Sequence, residues 1–363
     1  MNYLKNTTIH LAIVLFTGVL IFSACKKDKG MDNPTANQIN PGQGAGGEVL
    51  TLHGSDLASI QSIVFEKDNV PAFFNPTLNT ESAIIFRVPD TASGGQQNII
   101  FTNTDGKQVM VPFNVLAYPK VTDVSDYNFV AGTTLTLTGV NLEEVNKVMI
   151  KGTNDAATIV SKSKKKLVIT MPATTVARAK LDVSNTTGTS VTDQEFVYKP
   201  NNFIVFDDDW GKAAAYGGDV QSWSFDCNAY KSTGSIKAGT ASLQSDYTKT
   251  GGGLSTFLGC SWATSNQTFS EFYKAAYLTF WARTEGADAN ITIVPDNPWK
   301  GIDTWGAATA SGSKTITVVK GQWTYFKIPA DFIAGDYSRL DFKIDAGATI
   351  PKTIYFDDII MVK

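Results

Sequence analysis

Two stretches of this chain repeat each other at a spacing of about 83 residues. Leu50-Thr51-Leu52-His53-Gly54-Ser55-Asp56-Leu57 aligns with Leu135-Thr136-Leu137-Thr138-Gly139-Val140-Asn141-Leu142. Ile84-Ile85-Phe86-Arg87-Val88-Pro89 aligns with Leu167-Val168-Ile169-Thr170-Met171-Pro172, and Asn103-Thr104-Asp105-Gly106 with Asn185-Thr186-Thr187-Gly188. Phe113 and Phe196 close the two units. In Leu50-Thr51-Leu52 the apolar and polar residues alternate, as a half-buried strand requires. Asp105-Gly106 is a hairpin signal, because glycine accepts positive φ. About seven short strands per unit, broken by frequent turns, predict a small β-sandwich in each.

Beyond Lys199-Pro200-Asn201-Asn202 the character changes. All seven Trp residues of the chain lie between Trp210 and Trp323, and the repeats have none. Strands are predicted at Phe203–Asp207, Tyr277–Arg283, Ile291–Val294, Lys314–Val319, Thr324–Ile328, Arg339–Ile344 and Thr353–Val362. Strands joined by Gly-rich loops over this length suit a jelly roll or related sandwich. The expected fold class is therefore all-β throughout. A net charge of −3 leaves no basic footprint for nucleic acid. The run Lys162 to Lys166 reads as a solvated edge strand, where lysines block unwanted pairing.

Several of these segments resemble known families. The strand-Gly-x-Asn/Asp-Leu segment, the Val-Pro or Met-Pro element and the Asn-x-x-Gly turn resemble immunoglobulin-like IPT/TIG domains, over residues 34–117 and 118–199. Phe203-Ile204-Val205-Phe206-Asp207-Asp208, the segment from Gly321 to Pro329 and Ile354-Tyr355-Phe356-Asp357-Asp358-Ile359 resemble carbohydrate-binding β-sandwiches of the galactose-binding type, over residues 200–363. In such a fold the opening and closing segments pair as neighbouring strands. The order of the parts resembles a surface glycan-binding protein of a Bacteroidetes polysaccharide-utilisation locus. That resemblance implies polysaccharide capture without catalysis, for an outer-membrane glycan importer and hydrolases of the same system.

The N-terminus fits that setting. Lys5 precedes an apolar run from Ile9 to Phe22, which is shorter than the roughly 20 residues of a spanning helix. The layout is that of a secretory signal over residues 1–24. Phe22-Ser23-Ala24-Cys25 resembles the lipobox of bacterial lipoproteins, which implies acylation of Cys25 and anchoring at the outer membrane, on the cell surface. Residues 25–33 read as a tether, and polar composition continues to Gly47. Three domains held out from the membrane are expected.

Sugar recognition needs flat aromatic rings, because one face of a pyranose is mostly C–H, with polar groups at the ring edge. The candidates are Trp262, in a Gly-rich stretch, Trp299 and Trp305, in a loop rich in Pro, Asn and Gly, and then Trp281 and Trp223. Asp207 and Asp357 would converge if the first and last strands are neighbours; the galactose-binding resemblance implies a structural calcium ion there. No other cofactor is expected. His53 is the one histidine outside the leader, so multi-His metal sites are excluded and a His-based triad would have to use His53. Glu271 and Glu285 are the only Glu residues after residue 200, and neither sits in an evident aromatic cleft. No Gly-rich loop precedes a helix to cradle phosphate. Cys227 and Cys260 either form one disulfide or stay as buried thiols. The competing readings are an adhesin or scaffold that binds a protein, and a glycoside hydrolase, which would need two carboxylates about the scissile bond.

Overall fold

The computed structural model describes residues 33–211, 221–257, 274–296, 313–330 and 339–363, with the backbone alone for Gln221–Trp223, Phe257 and Asp296. The described chain is built of strands with three short 3-10 turns and divides into two compact units, residues 1–117 and 118–363.

In the first unit a three-stranded sheet (Thr35–Asn40, Val49–Ser55, Ala83–Arg87) faces a five-stranded one containing Ile60–Phe65, Gly95–Asn103 and Gln108–Leu116. Alternation does the sorting: Leu50 and Leu52 are buried while Val49 and His53 are exposed. Leu50, Leu52, Ile84, Phe86, Phe101 and Phe113 meet in one core. Phe86 and Phe101 pack edge to face at 5.4 Å. The Asp105-Gly106 hairpin forms as expected, with Thr102 paired to Gln108 and Gly106 at φ +76°.

The second unit starts with the second repeat. Its larger sheet runs through seven strands, among them Lys120–Val124, Thr134–Val140, Ala156–Lys162, Lys166–Thr170 and Leu181–Ser184. Both repeats use the same backbone devices. A Cβ on Gly54 would lie 1.9 Å from the Thr35 carbonyl oxygen, and one on Gly139 would lie 1.9 Å from that of Lys120. Two residues on, Asp56 and Asn141 both take φ +57°, which short polar side chains tolerate. Leu57 and Leu142 then enter the cores. The Asn-x-x-Gly turns are held by Asn103 Oδ1, which accepts from the N–H groups of Asp105 and Lys107, and by Asn185 Oδ1, which accepts from Thr187 and Gly188. Gly139→Ala is expected to cost roughly 3 kcal/mol or more, since backbone rather than a movable side chain blocks the methyl group. Urea unfolding followed by circular dichroism measures it; wild-type stability would mean that the close approach does not persist in solution.

The Lys162–Lys166 run is solvated as expected, but it does not form an edge strand. It spans a hairpin between two strands that each have a second neighbour in the sheet, Ala156–Lys162 beside Lys147–Ile150 and Lys166–Thr170 beside Thr134–Val140. Charge density reveals exposure, and a turn exposes side chains as an edge does.

The remaining strands form the third sandwich. One sheet orders Asp209–Trp210, Phe203–Asp207, Lys352–Val362, Ser242–Tyr247 and Cys227–Ser232, with Tyr277–Thr284 joining Lys352–Val362 to Thr324–Pro329. The opening and closing strands are neighbours, with Phe203 opposite Met361 and Phe206 opposite Ile359. The other sheet orders Gln221–Phe225, Gly253–Phe257, Arg339–Ile344, Ala289–Asp296 and Lys314–Val318. Between them lies a core of Leu243, Leu254, Phe280, Phe342 and Phe356 with their neighbours. Second and third sandwiches pack together through Val197, Tyr277, Ile360 and Val362.

Candidate functional site

The five-stranded sheet of the third sandwich has one distinctive rim. Gly253–Phe257 and Ala289–Asp296 both run antiparallel to Arg339–Ile344, which lies between them, so they are parallel to each other. Phe257 and Asp296 both end opposite Arg339, the first residue of the middle strand. Gln221, the first residue of its own strand, stands opposite Phe257. Four strand ends therefore share this rim. The sequence that follows Phe257 carries Trp262, and the sequence that follows Asp296 carries Trp299 and Trp305; these three residues lie outside the described residues.

Residues of this sheet that point away from the core are unusual. Leu340, Phe342 and Ile344 enter the core, so Arg339, Asp341 and Lys343 take the outer face. Arg339 and Asp341 are fully buried there and form a two-pronged ion pair, Nε to Oδ1 at 2.9 Å and a guanidinium nitrogen to Oδ2 at 3.2 Å. Ser255, opposite Asp341, is also fully buried, and its Oγ makes no hydrogen bond among the described residues. Away from the rim the face opens. Phe225 is half-buried, and its ring lies over Gly253: a Cβ on that glycine would come within 2.7 Å of Phe225 Cζ. Lys343 Nζ stands 5.7 Å from the same ring. Trp223 takes the register position opposite Ser255, two residues before Phe225. Gly253, the residue across from Phe225, leaves room for that ring to lie on the sheet. Phe225 was not singled out from the sequence, because its partner Gly253 lies 28 positions away and only strand pairing reveals it.

Trp281 is a correction. Its strand faces are as alternation suggests, yet the ring is buried, because the second sandwich covers that face. Trp281 Nε1–H donates to Asp126 at 3.1 Å. Its ring neighbours are Tyr325 at 5.0 Å and Tyr127 at 5.7 Å, with Lys237 Nζ 4.1 Å from the ring centre. Tyr127 and Tyr325 stack at 4.3 Å across the same seam. No side of Trp281 is left for a sugar.

Asp207 and Asp357 do approach one another's strands, but their partners are donors of hydrogen bonds. Lys199 Nζ reaches Asp207 at 2.9 Å and the fully buried Asp358 at 2.7 Å. Asp358 also accepts from Asn128 Nδ2 at 3.0 Å. Asp357 accepts from the backbone N–H groups of Lys237, Ala238 and Asp358. A calcium ion needs six to eight oxygen ligands, and here N–H groups occupy the carboxylate oxygens. The residues do not fit a structural calcium, and among the described residues no group of three or more His, Cys, Asp or Glu is arranged to hold a metal ion. Burial pushes the Asp357 carboxyl up to about 6 against its backbone donors, and pushes Asp358 well above the usual carboxylate range. Burial alone would lower the Lys199 ammonium; Asp358 and Asp207 outweigh it and raise its pKa. Cys227 is half-buried, and burial pushes its thiol up to about 12; Cys25 and Cys260 lie outside the described residues.

Residues 119–198 match the IPT/TIG domain family model. The chain is similar to the crystal structure of the surface glycan-binding protein PbSGBP-B from Prevotella bryantii, at 18% identity over 91% of this chain and 98% of that one, with a TM-score of 0.54. It is also similar to SGBP-B from a complex xyloglucan utilization locus in Bacteroides uniformis, at 16% identity over 91% and 99%, with a TM-score of 0.44. No curated protein sequence is a significant match. The first likeness shows a shared all-β fold.

Proposed function

We propose that this chain is a cell-surface protein that captures polysaccharide without breaking it, and that the five-stranded sheet of its third sandwich carries the site. The observation that carries this reading is the common rim. The strands leading into the segments of Trp262 and of Trp299 and Trp305 end side by side, opposite Arg339. Those three rings, together with Trp223 and Phe225, would offer a platform for the C–H faces of a glycan. The fold shared with a surface glycan-binding protein over most of both chains agrees with this reading.

Capture here involves no bond chemistry. Of the two Glu residues after residue 200, Glu285 is ion-paired with Arg283 at 3.0 Å. Acylation of Cys25 would hold the protein at the outer membrane, facing outward, where it would pass glycan to an importer and hydrolases of the same utilisation system. Affinity at one shallow site would be modest, and a repeating polymer would raise it through effective concentration.

Affinity electrophoresis of the chain from Lys26 onward, across neutral and acidic polysaccharides with reducing sugar assayed in parallel, tests the reading. Retardation by one glycan class without sugar release is expected. Trp262→Ala, Trp299→Ala and Trp305→Ala combined should weaken it at least tenfold, a loss of about 1.4 kcal/mol or more. Sugar release would make the protein an enzyme, retardation unchanged in the triple variant would move the site elsewhere, and no retardation by any glycan would favour a protein ligand.

A further inference from the structure

The other sheet of the third sandwich also turns one face away from the core. Register sets a row of side chains across four strands of it: Tyr230 opposite Gln244, Gln244 opposite Tyr355, and Tyr355 opposite Arg283. Strands lie about 4.8 Å apart, so this row is about 14 Å long. Asp246 and Glu285 flank it in the next row. The row is organised by its own hydrogen bonds. Asp246 accepts from Tyr230 Oη at 3.0 Å, from Gln244 Nε2 and from Thr353 Oγ1. Ser232 donates to the Gln244 amide oxygen at 2.8 Å. Arg283 donates to Ser235 Oγ and pairs with Glu285, while its buried Nε–H has no acceptor among the described residues.

One side of the row has a wall. The segment Gly234–Ala238 turns back over the sheet, tied down through Ser235 and through the two backbone N–H groups that bind Asp357. It leaves Tyr355 as a nearly buried floor and Tyr230 40% exposed at the open end. The result is a ledge rather than a flat surface.

We propose that this ledge is a second glycan-contact site, separate from the rim and on the opposite sheet. Tyrosine supplies a flat apolar body with a polar tip, and the amide, guanidinium and carboxylates alternate donors with acceptors, which is what a hydroxyl-rich chain requires. The row holds no aliphatic side chain, so it lacks the apolar centre that a protein interface buries. Arg283 is balanced by Glu285, and Asp246 adds a further negative charge, so the ligand is a neutral glycan rather than an acidic one. The inference rests on the reading of the chain as a glycan binder, and it predicts two contacts on one sandwich.

The test uses the chain from Lys26 onward and a soluble neutral polysaccharide that retards it, together with oligosaccharides of that polymer in titration calorimetry. Tyr230→Ala is expected to lower oligosaccharide stoichiometry from two to one and to weaken retention on the polymer about tenfold, as the loss of one of two linked contacts does. Gln244→Ala should act in the same direction, with an unchanged melting temperature showing that the fold is intact. Combined with the triple Trp variant, Tyr230→Ala should abolish retention. Wild-type stoichiometry and retention in both Tyr230→Ala and Gln244→Ala would overturn the ledge and leave the rim standing. Loss in Tyr230→Ala with full retention in the triple Trp variant would overturn the rim and keep the ledge. No binding of any glycan by the unaltered chain would remove both.

Discussion

Lys199→Met is expected to destabilise residues 118–363 by about 3–5 kcal/mol at neutral pH, the cost of removing one partner from a buried ion pair. Methionine keeps most of the length of the stem and loses the ammonium. Asp207 is partly exposed and water can serve it. Asp358 is fully buried, and Asn128 would be the partner left to it by the hydrogen bonds seen here. The loss must depend on pH. Burial already raises the Asp358 carboxyl, and removing Lys199 raises it further. A carboxyl whose pKa is higher folded than unfolded stabilises most below the unfolded value, and that stability is lost as pH rises through the folded one. The deficit of the variant should therefore be smallest in acid, where Asp358 is protonated in both proteins, and grow once pH rises past the raised wild-type Asp358 value. Asp357 gives the wild type a slope of the same sign between about 4 and about 6, so the difference between the two proteins is the quantity to follow. Urea unfolding across that range measures it. Asp358→Asn placed in the Lys199→Met background should recover part of the loss; a deficit under about 1 kcal/mol at every pH would mean that the site is solvated.

This ion pair also shows how far the sequence could be read. Convergence of Asp207 and Asp357 follows from pairing the first and last strands, and the need for a cation follows from convergence. The identity of the cation does not. Lys199 reads as linker, and only the 3-10 turn at Lys199–Asn201 brings its ammonium back against Asp358. The strands beginning at Phe203, Tyr277, Arg339 and Lys352 are legible because apolar residues fill them. Gln221–Phe225, Cys227–Ser232, Ser242–Tyr247 and Gly253–Phe257 are rich in Ser and carry too little apolar period to be seen. Both candidate glycan surfaces depend on those strands. Phe225 on Gly253 and Gln244 beside Tyr355 are pairings between distant segments, and no local pattern signals them.

Trp281 illustrates the opposite error, in which a correct local reading led to a wrong environment. Alternation separates inward from outward within one sandwich and says nothing of what covers the outward face. Here the cover is Asp126 and Tyr127 of the second sandwich. Trp281→Ala is therefore expected to leave glycan retention as in the wild type while costing about 3–5 kcal/mol, as truncating a buried Trp does. The loss has a particular form. Ring contacts with Tyr127 and Tyr325, the hydrogen bond to Asp126 and the cation of Lys237 all meet at this side chain, so its removal uncouples two sandwiches that otherwise share a seam. Calorimetry of the chain from Lys26 onward should show their joint transition split in the variant, with the less stable sandwich melting first. Trp281→Phe keeps a ring but not the N–H donor, and should fall between. If Trp281→Ala instead abolished glycan retention at unchanged stability, the seam would have to open in solution and the ring would belong to the binding surface after all.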